Sequence, residues 1–91
     1  MERRQIEKLL GSLLEQLAAV EHERWSHWQR FVHSKGVRQP DGSLLLPADV
    51  VSRWDGQINT KYAELGEQEK ASDREQVRKY LPIIAAALEG E

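Results

Sequence analysis

Residues Arg24 to Arg38 read R-W-S-H-W-Q-R-F-V-H-S-K-G-V-R, a set of side chains suited to recognition. In a chain of net charge −2, this stretch holds four Arg or Lys, two His, two of the three Trp and the one Phe. It contains no acid; acidic residues resume at Asp41. Cations interleaved with flat rings suit a ligand that is anionic at one end and flat at the other, and a nucleotide is the commonest such molecule. The competing reading is an amphipathic helix whose rings are core and whose charges are solvated.

In helix geometry Arg24 sits beside Trp28, and Trp25 beside Trp28 and Gln29. Arg24 and Arg30 can supply the fork that fits a phosphate. A second cationic row lies downstream: Lys70, Arg74 and Arg78 are four apart and share a helix face. Lys70–Asp73 and Glu75–Lys79 pairs would offset their mutual repulsion. Two such rows beside aromatic rings, one on each long helix, would form a nucleotide-sized pocket if those helices pack together.

Catalytic constellations are absent from the sequence. It has no Gly-rich phosphate loop, no G-x-S-x-G and no H-E-x-x-H. His22-Glu23 opens like the last of these, but Ser26 stands where the second His belongs. His22 and His27 point about 140° apart round a helix, so they do not form a metal pair. With no Cys in the chain, disulfides, thiolate metal sites and thiol catalysis are excluded. The expectation is a protein that is not an enzyme and has neither cofactor nor metal.

The elements that must position these residues are helical. At 91 residues the chain is read as one domain, 1–91. Ile6, Leu9, Leu10, Leu13, Leu14, Leu17 and Val20 follow three- and four-residue spacings. They predict one long helix from Arg3 to about Ser34, with Gly11 tolerated. Its apolar face drifts toward Trp25, Trp28, Phe31 and Val32, so the helix either contacts different partners or bends near Ala18-Ala19. A Pro/Gly loop follows over Lys35 to Pro47, with a turn signal at Asp41-Gly42. Leu44 to Leu46 can form a short extended piece, too little for a sheet.

Pro47-Ala48-Asp49 opens a short second helix that ends at Asn59-Thr60. Gly66 is the expected N-cap of the C-terminal helix, with Glu67 and Glu69 in its first turn. Pro82 falls inside that helix's apolar pattern and predicts a kink or restart. The predicted architecture is thus all-α, a small helical bundle. The leucine-rich segment 1–20 offers more apolar surface than two short partners cover, which predicts a homo-oligomer.

No apolar run approaches the length of a membrane span. The N-terminus M-E-R-R-Q-I-E-K lacks a signal-peptide core, so a cytoplasmic location is expected. The slightly acidic balance disfavours duplex DNA as a partner.

Two separated motifs carry a family resemblance. H-E-R-W stands at His22 to Trp25, and Y-x-x-L-x-E-x-E-K-x-x-D-R is filled by Tyr62, Leu65, Glu67, Glu69, Lys70, Asp73 and Arg74. Over residues 18–84 the chain resembles the ryanodine-receptor repeat domain, in its small stand-alone bacterial and phage versions. The family's G-W-x-Y-G segment has no counterpart; Gly36-Val37-Arg38 and the Asp41-to-Pro47 loop stand in its place.

The resemblance implies an all-α fold of two packed helical hairpins and a link to nucleotide recognition. Carried over by position, it implies that Trp25 and Tyr62 stack on or contact a base and that Lys70 and Arg74 hold phosphate. Asp73 and Leu65 can equally be structural. With Arg24 and Trp28 from the residue reading, the candidate ligand-binding set is Arg24, Trp25, Trp28, Tyr62, Lys70 and Arg74.

Three functions are open at this point. The first is a non-catalytic nucleotide-binding module, used by a phage as a sponge for a cyclic-nucleotide or ADP-ribose-type immune signal in a bacterial host. The second is a helical oligomer that binds a host or phage protein through its leucine stripe. The third is single-strand nucleic-acid binding through the Trp-Arg segment, against which the acidic flanks count.

Overall fold

The leucine stripe folds as two helices, α1 (Arg3–Gly11) and α2 (Leu14–Lys35), in a computed structural model that describes residues 1–90. One unbroken helix from Arg3 was expected, with any bend near Ala18-Ala19. The chain instead changes direction at Ser12-Leu13, and α2 runs on through both alanines. The cause is local and tertiary at once. Gly11 costs a helix interior about 1 kcal/mol relative to Ala. The Ser12 hydroxyl donates to the Leu9 carbonyl, and the Leu13 N–H reaches back only to Leu10, at 3.0 Å. That tightened turn places Leu13 inside, 6% exposed, while its neighbour Leu14 remains 67% exposed.

After α2 the chain forms a small antiparallel hairpin, β1 (Val37–Arg38) against β2 (Leu44–Leu45), with Val37 opposite Leu45. This corrects the expectation that no sheet forms. Pro40-Asp41-Gly42 closes the hairpin: Gly42 N–H bonds to the Gln39 carbonyl at 2.9 Å, and Gly42 takes φ 90°. The Asp41 carboxylate accepts from both the N–H and the hydroxyl of Ser43, which holds its pKa below the ordinary value. Gly36 is needed for close approach, because a Cβ there would lie 3.2 Å from Leu44 side-chain carbons.

Helix α3 (Ala48–Ile58) starts after Pro47, which serves as its extended N-cap, and buries Val50. A single 3-10 turn at Tyr62–Glu64 leads to α4 (Glu67–Arg78). The chain restarts as α5 (Leu81–Glu89), with Pro82 in the first turn where its missing N–H is harmless. Among the described residues no helix is long and apolar enough to cross a membrane.

These elements are mostly helical, but they do not close into the bundle of packed hairpins expected. The radius of gyration is 18.1 Å, against about 12 Å for a compact chain of this length. The extents are 54 × 34 × 18 Å. Among the described residues only Leu13 and Val50 are buried apolar side chains. Helix packing concentrates where α5 meets α1 and α4. Elsewhere the helices are tied at corners: Trp28 and Phe31 to Trp54, Gln57 to Glu69, and Glu21 to Tyr80.

Candidate functional site

The 3-10 turn at Tyr62–Glu64 and the first two turns of α4 bring one ring and several cations together. The turn is short because the Leu65 N–H bonds back to the Tyr62 carbonyl at 3.1 Å and Leu65 is itself extended. Gly66 then caps α4, and its N–H donates to Glu69 Oε2 at 3.3 Å. The other oxygen of Glu69 accepts from the Gln57 side-chain amide at 3.1 Å, tying the end of α3 to the start of α4. Tyr62 lies between these tied ends.

On α4, Lys70 Nζ lies 5.8 Å from the centroid of the Tyr62 ring. Arg74 pairs with Glu67 at 2.6 Å. That bond raises the Arg74 pKa, and the same guanidinium holds Glu67 below the ordinary carboxylate value. Beside them opens a groove of about 380 Å³ lined by Tyr62, Asp73, Arg74, Val77, Arg78 and Leu81. Its lining is mostly apolar and includes two guanidinium groups, those of Arg74 and Arg78. Among the described residues Arg78 and Lys70 form no ion pair, so both keep charge to offer an anion. Asp73 is an unfavourable neighbour for one. The expected Lys70–Asp73 and Glu75–Lys79 pairs are not formed; Glu67 serves Arg74 instead, and Lys79 turns to Gln76 at 3.4 Å.

The six residues singled out in the sequence therefore separate. Tyr62, Lys70 and Arg74 come together. Arg24 does not join them: it pairs with Glu21 at 2.8 Å, and Glu21 also accepts the Tyr80 hydroxyl. The Arg24 guanidinium, followed by Tyr80, lowers the Glu21 pKa, while Glu21 raises those of Arg24 and Tyr80. Trp25 is 57% exposed and stacks on His22 at 6.0 Å. Trp28 packs with Phe31 and with Trp54 of α3, each at 5.5 Å.

The groove has no α2 residue in its lining, so the two cationic rows do not face one another across it. The helices that carry them meet through Tyr80 and Glu21 rather than through their cations. Asp73, Val77, Arg78 and Leu81 are the lining residues absent from the candidate set, although Arg78 was readable as the third member of the row. Among the described residues no cluster of His, Asp or Glu has the geometry to hold a metal ion. The chain matches no protein-family model, no curated protein and no solved structure, so the ryanodine-receptor-repeat resemblance rests on its two motifs alone.

Proposed function

We propose that this chain is a non-catalytic nucleotide-binding module and that its site is the Tyr62 groove. One observation carries the reading: a half-exposed aromatic ring has an ammonium over its face and two guanidinium groups along the adjoining groove. A base stacks on such a ring, and forked guanidinium donors take phosphate oxygens. The groove volume of about 380 Å³ falls in the roughly 300–1,000 Å³ range of small-molecule sites. Arg24, Trp25 and Trp28 have no part in this site. Used free in a bacterial cytoplasm, such a module acts as a phage-encoded sponge, holding a cyclic-nucleotide or ADP-ribose-type immune signal without turnover.

Calorimetry with cyclic dinucleotides, cyclic trinucleotides and cyclic ADP-ribose isomers tests the proposal. Binding to one of them that is lost in Tyr62→Ala and Arg74→Ala supports it. No heat from any of them with folded protein ends it.

A second reading, a helical interaction protein with a host or phage partner, is favoured by the exposed apolar side chains Leu10, Leu14, Trp25 and Leu88. Capture of a partner that survives Lys70→Ala and Arg74→Ala would select this reading over the first.

A further inference from the structure

Helix α5 runs L-P-I-I-A-A-A-L before its first charge at Glu89, yet none of its residues is buried. A helix that is apolar all round belongs in an interior. One side of α5 is partly covered: Ile83 and Ala87 are half-buried and, with the exposed Pro82 and Ala86, face Leu13 and Gln16 across a groove of about 440 Å³. The opposite side carries Leu81, Ala85 and Leu88 at four- and three-residue spacing, and all three are exposed. Leu81 is 53% exposed and Leu88 46%.

The surface of the whole chain shows that cover is missing, and the α5 stripe is one part of what lacks it. The accessible surface is 7520 Å², whereas a compact monomer of this mass exposes about 5,400 Å². The excess of roughly 2,100 Å² exceeds the roughly 800 Å² per partner of a standard interface and reaches the obligate homodimer range. With only two buried apolar side chains among the described residues, the core is small, and cover from a partner adds to its stability.

We infer that a second copy of this chain provides that cover, packing its own α5 against this one about a two-fold axis. At such an axis a side chain meets its own copy, so a charge there repels itself. The Leu81–Ala85–Leu88 stripe carries none. Ala85 at its centre lets the two backbones approach closely, with the leucines closing over either end. The interface adjoins the Tyr62 groove at Leu81, which lines both, but Ala85 and Leu88 lie outside that groove, so a substitution at Ala85 tests the interface apart from the nucleotide reading.

The test is sedimentation equilibrium of the full chain, with melting followed by circular dichroism over a hundredfold range of concentration. Wild type is expected at twice the 10.5 kDa of the chain, with a melting temperature that rises with concentration. Ala85→Glu places a charge on the axis and is expected to weaken self-association by roughly 100-fold or more. Ala85 is exposed in the single chain, so the substitution breaks no internal packing. The variant therefore sediments as a monomer, or is unfolded at concentrations where wild type is folded. A folded wild-type monomer with a concentration-independent melting temperature would overturn the inference. So would a wild-type trimer or larger assembly, or an Ala85→Glu variant that keeps wild-type mass and melting temperature.

Discussion

Tyr80 donates its phenolic hydrogen to Glu21, a residue 59 positions earlier in the chain, and so fastens the α4–α5 junction to the middle of α2. Arg24 grips the same carboxylate at 2.8 Å, so one acid serves a cation on its own helix and a phenol from another. In a fold with little buried surface, this contact is one of the few that joins distant parts of the chain.

The contact makes stability depend on pH at both ends of the scale. Glu21 has a lowered pKa in the fold, so its contribution is complete above the ordinary value of 4.5 and is lost as pH falls through the folded value. Tyr80 has a raised pKa, so its contribution is complete below the ordinary 10.0 and is lost as pH rises through the folded value. Tyr80→Phe is expected to melt below wild type at neutral pH, and the gap narrows at either extreme. A gap that stays constant from acid to alkali would refute this account.

Leu13→Ala removes one of the two buried apolar side chains among the described residues. A Leu→Ala change in a core costs about 2–5 kcal/mol. Because an open groove already adjoins Leu13, the lower half of that range is expected, measured as a shift in urea midpoint at unchanged slope. Leu14→Ala, one residue along and 67% exposed, is expected to stay within about 0.5 kcal/mol of wild type.

The three tryptophans differ in environment and report separately. Trp25 is the most exposed of the large α2 rings, whereas Trp28 and Trp54 cover each other. Trp25→Phe is therefore expected to remove most of the fluorescence quenched by iodide. Trp54→Ala is expected to cost about 2 kcal/mol, short of the full price of a core aromatic because the cluster is half open. Equal loss of iodide quenching in Trp25→Phe, Trp28→Phe and Trp54→Phe would contradict this arrangement.

Ligand affinity is expected to divide six alanine variants in two. Tyr62→Ala, Lys70→Ala and Arg74→Ala each weaken nucleotide binding about tenfold or more, the equivalent of about 1.4 kcal/mol. Arg24→Ala and Trp25→Ala leave it within about twofold, since neither lines the groove nor, unlike Lys70, stands over the Tyr62 ring. Arg78→Ala sides with the first group. Titration calorimetry on the six variants decides the matter, and equal losses from both groups would return the site to the Arg24–Arg38 stretch.

The parts of this arrangement that were legible in the sequence are those set by short spacings. The Gly66 cap with Glu67 and Glu69 behind it, the Asp41-Gly42 turn and the row from Lys70 to Arg78 depend on neighbours within a few positions. The break at Ser12 was not legible. Gly11 costs too little alone to end a helix, and the burial of Leu13 tips the balance. Nor did any local signal join Glu21 to Tyr80 or set Trp28 on Trp54. The Arg24–Arg38 stretch is acid-free in sequence, yet its first cation is answered by Glu21, just outside the window. Charge composition over a window does not reveal which acid a helix turn brings alongside.

Glu69 spends one oxygen on the Gly66 N–H and the other on the Gln57 amide. The consequence falls on the residues between. A connection bolted at both ends by a single carboxylate has little freedom to swing, so the Tyr62 ring holds its attitude before any ligand arrives. The entropy of fixing that ring is then met during folding rather than at binding, which favours tight capture by a shallow groove. Glu69→Gln, which keeps the shape but leaves one acceptor oxygen for two donors, would shift that cost to the binding step and appear as a less favourable binding entropy.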